Sequence, residues 1–489
     1  MDGRSGPVGS SVVPGIHVRL PDSDDFAAAL DTLRGELQVP DAFGPEVLDE
    51  ADRALAAGPR APTAGPVLDR RDLELVTVDP PSAQDLDQAF AAARRGAGYR
   101  VHYAIADVAA FVAPGGSIDR EARRRGVTLY APDHNTLLHP PQLAEGAASL
   151  LPGEERQALL WTIDLGPDGE MERASVARAL VRSREKASYA EVQQRIDDGT
   201  ASTSLALLAE IGRHREEIEA ERGAVSLNLP AQEVTRHDDH YDLEYDIALP
   251  VEGWNAQVSL LTGMAAAEMM IDGRVGLLRT LPEPRSETVA GIRRVALALG
   301  VDWPAEMTYA ERVRTIRVGA PAEAAFLHQA ARGLRGAGYV AFDGEVPEYT
   351  RHSAIAADYA HVTAPLRRVC DRFANEVVVA LSADRNPPAW AIEALDELPS
   401  VMGRARSADR ALERGVIDLA EAVALEHRVG ETFEGTVVDI DDERARLQVT
   451  WPAVIAAIDP DRLELGDHLP VRLVEADPSS RLVRFEPAP

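Results

Sequence analysis

Asp79, Asp85 and Asp87 stand close together in the stretch VLDRRDLELVTVDPPSAQDLDQAF, residues 67–90. Three carboxylates gathered in this way repel one another unless a cation sits among them. Hard oxygen ligands of this kind suit Mg²⁺ or Mn²⁺, with substrate phosphate completing the shell. Taken alone, the aspartates read equally well as a solvated acidic loop in a chain of net charge −29. The elements around them decide how they are presented. Leu73, Leu75 and Thr77 alternate with Glu74, Val76 and Val78, the pattern of a half-buried strand that delivers Asp79 at its end. Pro80-Pro81 then turns the chain out of the sheet, because neither residue can donate to a ladder. Asp85 and Asp87 follow in a short loop, and a helix is expected from residue 86 or 87 through Arg95.

A second block, YAHVTAPLRRVCDRFANEVV (359–378), carries Arg367. Its planar fork can hold phosphate oxygens and offset charge that develops during a displacement. For any single arginine a surface ion pair is the ordinary alternative. R-x-D-L, T-V-D-P and D-L-D-x-A, followed far downstream by T-A-P-L-R-R, resemble the signatures of the RNase II/RNase R (RNB) family of 3′→5′ exoribonucleases. The intervening H-x-A-I-A-D-V, D-x-E-A-x-x-R-G, Y-x-P-D and S-L-x-P-G-E-x-R segments, between residues 102 and 156, keep the same order.

The resemblance implies that Asp79, Asp85 and Asp87 hold catalytic Mg²⁺, with Mn²⁺ as an alternative. The family's fourth metal position, usually Asp, is Gln88 here. Its amide could ligate or orient a water but brings no charge, which puts a second metal site in question. Tyr130 falls where the family stacks an aromatic ring on a base near the RNA 3′ end, and Arg367 matches the arginine that clamps the scissile phosphate. Arg368 and Arg372 would extend that basic face. Glu413, in A-x-E-R at 411–414, matches a glutamate near the RNA 3′ end, although ion pairing at i,i+4 with its neighbours explains the pattern almost as well.

At 489 residues the chain has room for two to four domains. No apolar run of about 18 residues is present, so no transmembrane helix is expected. The opening MDGRSGPVGSSVVPG lacks an apolar signal core, which points to the cytoplasm. Cys370 is the single cysteine, which leaves no intrachain disulfide and suggests a buried thiol. The acidic balance argues against a generally basic coat for nucleic acid, but not against a local basic channel. Lys186 is the only lysine, so nearly all positive charge is arginine, the side chain suited to bidentate phosphate contacts.

Residues 1–20 read as a flexible segment. A helix capped by Asp22-Ser23-Asp24 is predicted to about Gln38, and a second from Pro45 to Ala57. Together they make a small helical module over 1–60, possible as a helix-turn-helix or as a packing extension. Fewer than 80 residues precede Asp79, too few for the two cold-shock domains that the resembled enzymes carry there. Residues 61–428 are expected to form an α+β RNB catalytic domain, a mixed sheet with surrounding helices. Strands are predicted at 99–112 and within 223–235, an apolar helix at 254–272, and a long helix from Arg404 to His427. Residues 429–489 read as five short strands separated by turn residues and resemble an S1-type OB fold, which binds single-stranded RNA on one barrel face. Phe433, in the opening G-x-x-F-x-G-x-V, is a candidate for base stacking or for the barrel core.

These features together imply a monomeric, metal-dependent hydrolase that digests single-stranded RNA from its 3′ end, and RNA with duplex regions, to nucleoside 5′-monophosphates. The alternative is a catalytically degenerate family member that binds RNA without cutting it. A different magnesium enzyme built on D-x-D is a more distant reading, disfavoured by the TAPLRR block and the C-terminal barrel.

Overall fold

A mixed sheet organises the larger part of the chain. In order, its strands are Leu68–Asp69, Met171–Ala187, Leu75–Val78, Gln88–Arg95, Gly98–Ala106 and Glu155–Leu165. Met171–Ala187 pairs antiparallel with Glu155–Leu165 and, further along, parallel with Leu75–Val78, so the ladder returns to its start. The chain was obtained as a computed structural model. It describes residues 17–488 apart from 21–22, 41, 62–63, 228–230, 238–239, 247, 317–320, 441–443 and 450–453.

The segment expected as a helix through Arg95 is a strand. Gln88–Arg95 contains four alanines and has good helix propensity, but it pairs residue for residue with Gly98–Ala106. Gly96, at φ +60°, makes the tight reversal between them. Long-range pairing and burial of Ala89, Phe90 and Ala91 outweigh local preference here. The strand predicted over 99–112 ends at Ala106 and gives way to a 3₁₀ turn at Val108–Ala110.

The apolar helix is Pro250–Gly273. Trp254, Val258, Leu261 and Met270 on it join Tyr103, Trp161 and Val176 of the sheet in the main core. Helix Val369–Ser382 is buried from Val369 through Ala380, which places the residues just before it at the centre of the molecule. Cys370 lies in this helix as a buried free thiol.

The N-terminal elements do not form a separate module. Strand His17–Leu20 pairs with Tyr241–Asp246, so the described end of the expected flexible segment is ordered into a sheet. Helix Ser23–Glu36 places Phe26, Leu30 and Leu33 against Leu412, Val416 and Leu419 of the long helix Leu398–Leu425. Asp22, the first predicted capping residue, lies outside the described residues. Helix Pro45–Ala57 packs Val47 and Ala51 into a different core, with Ala104, Ile118 and Leu160. Two helices buried in two cores cannot act as one helix-turn-helix unit.

Strands Thr432–Ile440, Ala445–Val449, Val454–Ile458, Leu482–Pro487 and His468–Asp477 close into a five-stranded barrel. Its interior, including Leu447, Val471, Leu473 and Phe485, continues onto Ala422 and Leu425 of the long helix. At this junction the buried Glu421 Oε1 accepts from the Ile455 N–H at 2.6 Å and from Gln232 Nε2 at 2.7 Å. Burial nevertheless pushes the Glu421 carboxyl up to about 8. The folded-state value is therefore raised above the unfolded one. Both states are neutral below about pH 4.5, and as pH rises the unfolded chain ionises first. Stability should then fall by up to about 1.4 kcal/mol per pH unit until the folded carboxyl also ionises near pH 8. Glu421→Gln is expected to remove this decline between pH 5 and 8. Melting curves at the two pH values test it, and an unchanged difference in the variant would refute the assignment.

Among the described residues no helix is long and apolar enough to cross a membrane.

Candidate active site

Strand Leu75–Val78 is buried throughout, not half-buried. Its two faces enter two cores, Leu75 one and Val76 with Val78 the other, because the sheet is covered on both sides. The strand ends in Asp79, whose N–H donates to the Ala187 carbonyl at 3.1 Å. The loop after Pro80-Pro81 is held from three directions. Lys186 Nζ donates to the Pro81 carbonyl at 2.7 Å and also to that of Ala83. Ser149 Oγ accepts from the Leu86 N–H at 3.0 Å and donates to the Gln84 carbonyl at 2.6 Å. The Ala106 N–H donates to the Asp87 carbonyl at 2.9 Å.

The TAPLRR segment meets this loop. Asp87 Oδ1 accepts from the Leu366 N–H at 2.8 Å, and its Oδ2 accepts from Arg367 Nε at 2.7 Å. The segment is itself anchored by the next helix, where Asp371 accepts from the Ala364 N–H at 2.8 Å and Asn375 Nδ2 donates to the Val362 carbonyl at 3.0 Å. The Thr128 N–H donates to the Arg367 carbonyl at 2.9 Å, which brings in the loop that carries Tyr130. The Tyr130 hydroxyl donates to Asp85 Oδ2 at 3.3 Å, while the residue stays 46% exposed. Asp79, Asp85, Asp87, Arg367 and Tyr130 thus converge from three separate parts of the chain.

The electrostatics of the aspartates are those of a site short of positive charge. Burial pushes Asp79 up to about 6, although Arg367 and Lys186 oppose it. It pushes Asp87 up to about 7 against the pull of Arg367, and it raises Asp85. Burial also works against the Arg367 charge, but Asp87 more than compensates and the guanidinium remains above its usual value. One oxygen of Asp79, Oδ2, is buried without a hydrogen-bond partner. The three carboxylates do not close into a compact cage with an oxygen from each within 4.8 Å of the others. An open set of hard oxygens, one of them orphaned, fits Mg²⁺, which keeps several waters and uses few protein carboxylates.

Other expected site residues have different tasks. Gln88 Nε2 donates to the Thr363 carbonyl at 2.5 Å. The amide nitrogen therefore ties the aspartate loop to the arginine loop, which a carboxylate could not do, while the amide oxygen is the atom expected to ligate a metal or orient a water. Gln88→Asp should set an anion against a carbonyl and lower stability by about 1–3 kcal/mol. Thermal melting alongside a Mg²⁺ titration of rate checks this. An unaltered melting curve with a lower metal midpoint would mean that the tie is idle and that the position serves the metal.

Arg368 does not extend a basic face: its Nε and Nη2 grip Asp371 at 2.9 and 2.7 Å. Arg372 is fully buried, with Nη1 on Asp119 Oδ1 at 2.6 Å. Phe433 is 6% exposed and stands edge-on to Phe485 inside the barrel, so its ring is withdrawn from base stacking. Glu413 is exposed on the long helix and lines a cleft of about 1050 Å³ with Arg335, Arg406, Arg410, Arg414 and Arg446. Asp418 and Glu421 line the same cleft, so the five arginines leave it a local excess of positive charge that net charge alone could not reveal. Lys186 and Ser149 were missed as positioning residues. The signal available for them was the segments SREKASY (183–189) and SLLPGEER (149–156), which carry no chemistry until the loop they hold is seen.

The sheet, the meeting of the aspartates with Arg367 and the closed barrel together define an α+β body with an OB-fold appendage. The sequence matches the RNB domain over residues 68–383 and the RNase II-type exonuclease C-terminal S1 domain over 431–488. The chain belongs to the RNB family. It is similar to Ribonuclease R of Escherichia coli K12, 26% identical over 426 residues, covering 78% of this chain and 49% of that protein. The chain spans about a third to a half of the length of the curated relatives it matches. Its fold is similar to Mycoplasma genitalium RNase R in complex with ribose-methylated single-stranded RNA, with a TM-score of 0.84 at 17% identity over 96% of this chain and 79% of that one. It is also similar to yeast Ssd1, described as a pseudonuclease, with a TM-score of 0.70 at 16% identity over 93% of this chain and 59% of that one.

Proposed function

We propose that this chain is a hydrolytic 3′→5′ exoribonuclease that releases nucleoside 5′-monophosphates. The observation that carries the reading is the meeting of Asp87 with Leu366 and Arg367, which joins the two signature segments into one site. Asp79, Asp85 and Asp87 would hold Mg²⁺, or Mn²⁺ in its place, which supplies a water made nucleophilic at neutral pH by its lowered pKa. Arg367 turns its guanidinium from Asp87 to the scissile phosphate and offsets charge that builds on the phosphoryl oxygens. The Leu366 N–H keeps Asp87 oriented when that exchange occurs. Tyr130 offers an exposed ring to a terminal base while its hydroxyl steadies Asp85. Lys186 and Ser149 keep the aspartate loop from relaxing away. The arginine cleft along the long helix and the barrel guides the RNA backbone toward the site.

The resemblance to a pseudonuclease and the neutral Gln88 favour a second reading, RNA binding without cleavage. One gel separates the two. With 5′-labelled single-stranded RNA and Mg²⁺, the label is expected to shorten stepwise while mononucleotides accumulate, and chelation should stop both. RNA retained on a filter but left intact at every Mg²⁺ concentration would establish the second reading instead.

A further inference from the structure

Away from the aspartates, strands Ala231–Arg236 and Tyr241–Asp246 form a hairpin whose tip carries His237 and His240. The His237 N–H donates to the His240 carbonyl at 2.8 Å, closing the turn. The two imidazoles lie nearly parallel, with centroids 4.7 Å apart and 18° between planes. Both point Nε2 at one carboxylate: His237 Nε2 is 3.2 Å from Asp242 Oδ2, and His240 Nε2 is 3.5 Å from Asp242 Oδ1. Asp242 alternates along its strand with the core residues Tyr241 and Leu243, so it faces away from that core toward the rings.

We propose that His237, His240 and Asp242 form a binding site for a zinc-class divalent cation. Ligand atoms from all three residues lie within 4.8 Å of one another. In a tetrahedral site with bonds of ~2.0–2.1 Å, ligand atoms are about 3.3 Å apart. The two observed nitrogen–oxygen distances bracket that edge. The second observation is Asp242 itself: it is 7% exposed, and its Oδ1 is buried with no hydrogen-bond partner. His240 Nε2 approaches that oxygen to 3.5 Å without a hydrogen bond, and a cation between the two would engage both. Two imidazoles and one carboxylate select Zn²⁺ and its neighbours over Mg²⁺, and leave a fourth position for water or substrate.

The site sits where it would act as a staple. Next to the first histidine, Arg236 Nη1 donates to the Asp133 carbonyl at 3.1 Å, and Arg34 Nη1 reaches the Asp133 carboxylate at 2.8 Å. Asp133 belongs to the loop that begins with Tyr130. A cation at the hairpin tip would fix the turn beside Arg236, the residue that reaches that loop. The inference does not depend on the nuclease reading.

The test uses the full chain, stripped with a chelator and kept in excess Mg²⁺ so that the aspartates are occupied. Zn²⁺ is titrated by calorimetry, and Co²⁺ is followed by its visible spectrum, which is intense for tetrahedral nitrogen-containing sites. One equivalent is expected, with tetrahedral Co²⁺ bands and a higher melting temperature when it is bound. His237→Ala, at a largely exposed side chain, should weaken it at least tenfold, and Asp242→Asn likewise. An Asp79→Asn/Asp87→Asn double variant should retain it. No equivalent in the wild-type chain, or one that survives His237→Ala undiminished, overturns the proposal.

Discussion

Asp87→Asn is expected to abolish RNA hydrolysis while leaving the fold and RNA binding in place. Asparagine keeps the shape and one oxygen for the Leu366 N–H, which now bonds Asp87 Oδ1. It removes the charge on which a bound divalent cation would depend and turns an amide toward Arg367, a donor facing a donor. The loss in single-turnover rate should be at least about 10³-fold, the upper end of what one transition-state donor costs. The melting temperature in the absence of metal should shift little, because removal of a carboxylate that burial disfavours offsets the lost ion pair with Arg367. Quench-flow on a short 5′-labelled oligomer, with filter binding and a melting curve as controls, measures all three. Turnover near the wild-type rate would remove Asp87 from the catalytic machinery and with it the proposed mechanism.

Arg367→Lys is expected to be nearly as damaging as Arg367→Ala, each lowering kcat by about 10²–10³-fold. The reasoning rests on shape. Arg367 reaches Asp87 through Nε, with the rest of its planar fork directed into the site beside Asp79 and Tyr130. An ammonium group is a point charge that cannot hold two phosphate oxygens at once or turn from the aspartate loop to substrate as a planar fork. Affinity for long RNA should change far less than kcat, since the proposed backbone contacts of the arginine cleft along the long helix are separate from this site. Parallel measurement of kcat and of affinity for a long oligomer separates these effects. A lysine variant with wild-type kcat would show that only charge is required at this position.

Local features were legible where local chemistry sets the conformation. Helix Pro45–Ala57 was bounded correctly because Pro45 suits its first turn and Gly58, at φ +74°, takes the conformation that ends it. The barrel strands were readable because turn residues separate short alternating runs. The aspartates and Arg367 could be singled out because the segments around them resemble those of a known family in kind and order; by spacing alone an acidic loop and a surface ion pair explained them as well. By itself, then, the sequence determined the kinds of groups available, the bounds of helix Pro45–Ala57, the barrel and the family.

Only the tertiary structure decided which partner each group takes. Gln88–Arg95 became a strand because Gly98–Ala106 lay alongside it, against the preference of its alanines. Of three neighbouring arginines, Arg367 turns to the aspartates while Arg368 and Arg372 are taken up by Asp371 and Asp119. Phe433 went inside the barrel, and Gln88 found the Thr363 carbonyl far along the chain. Spacing along a chain constrains only neighbours within a turn or a hairpin. Contacts across hundreds of residues depend on how whole elements pack, and many side chains of the same type compete for each partner until packing leaves one within reach.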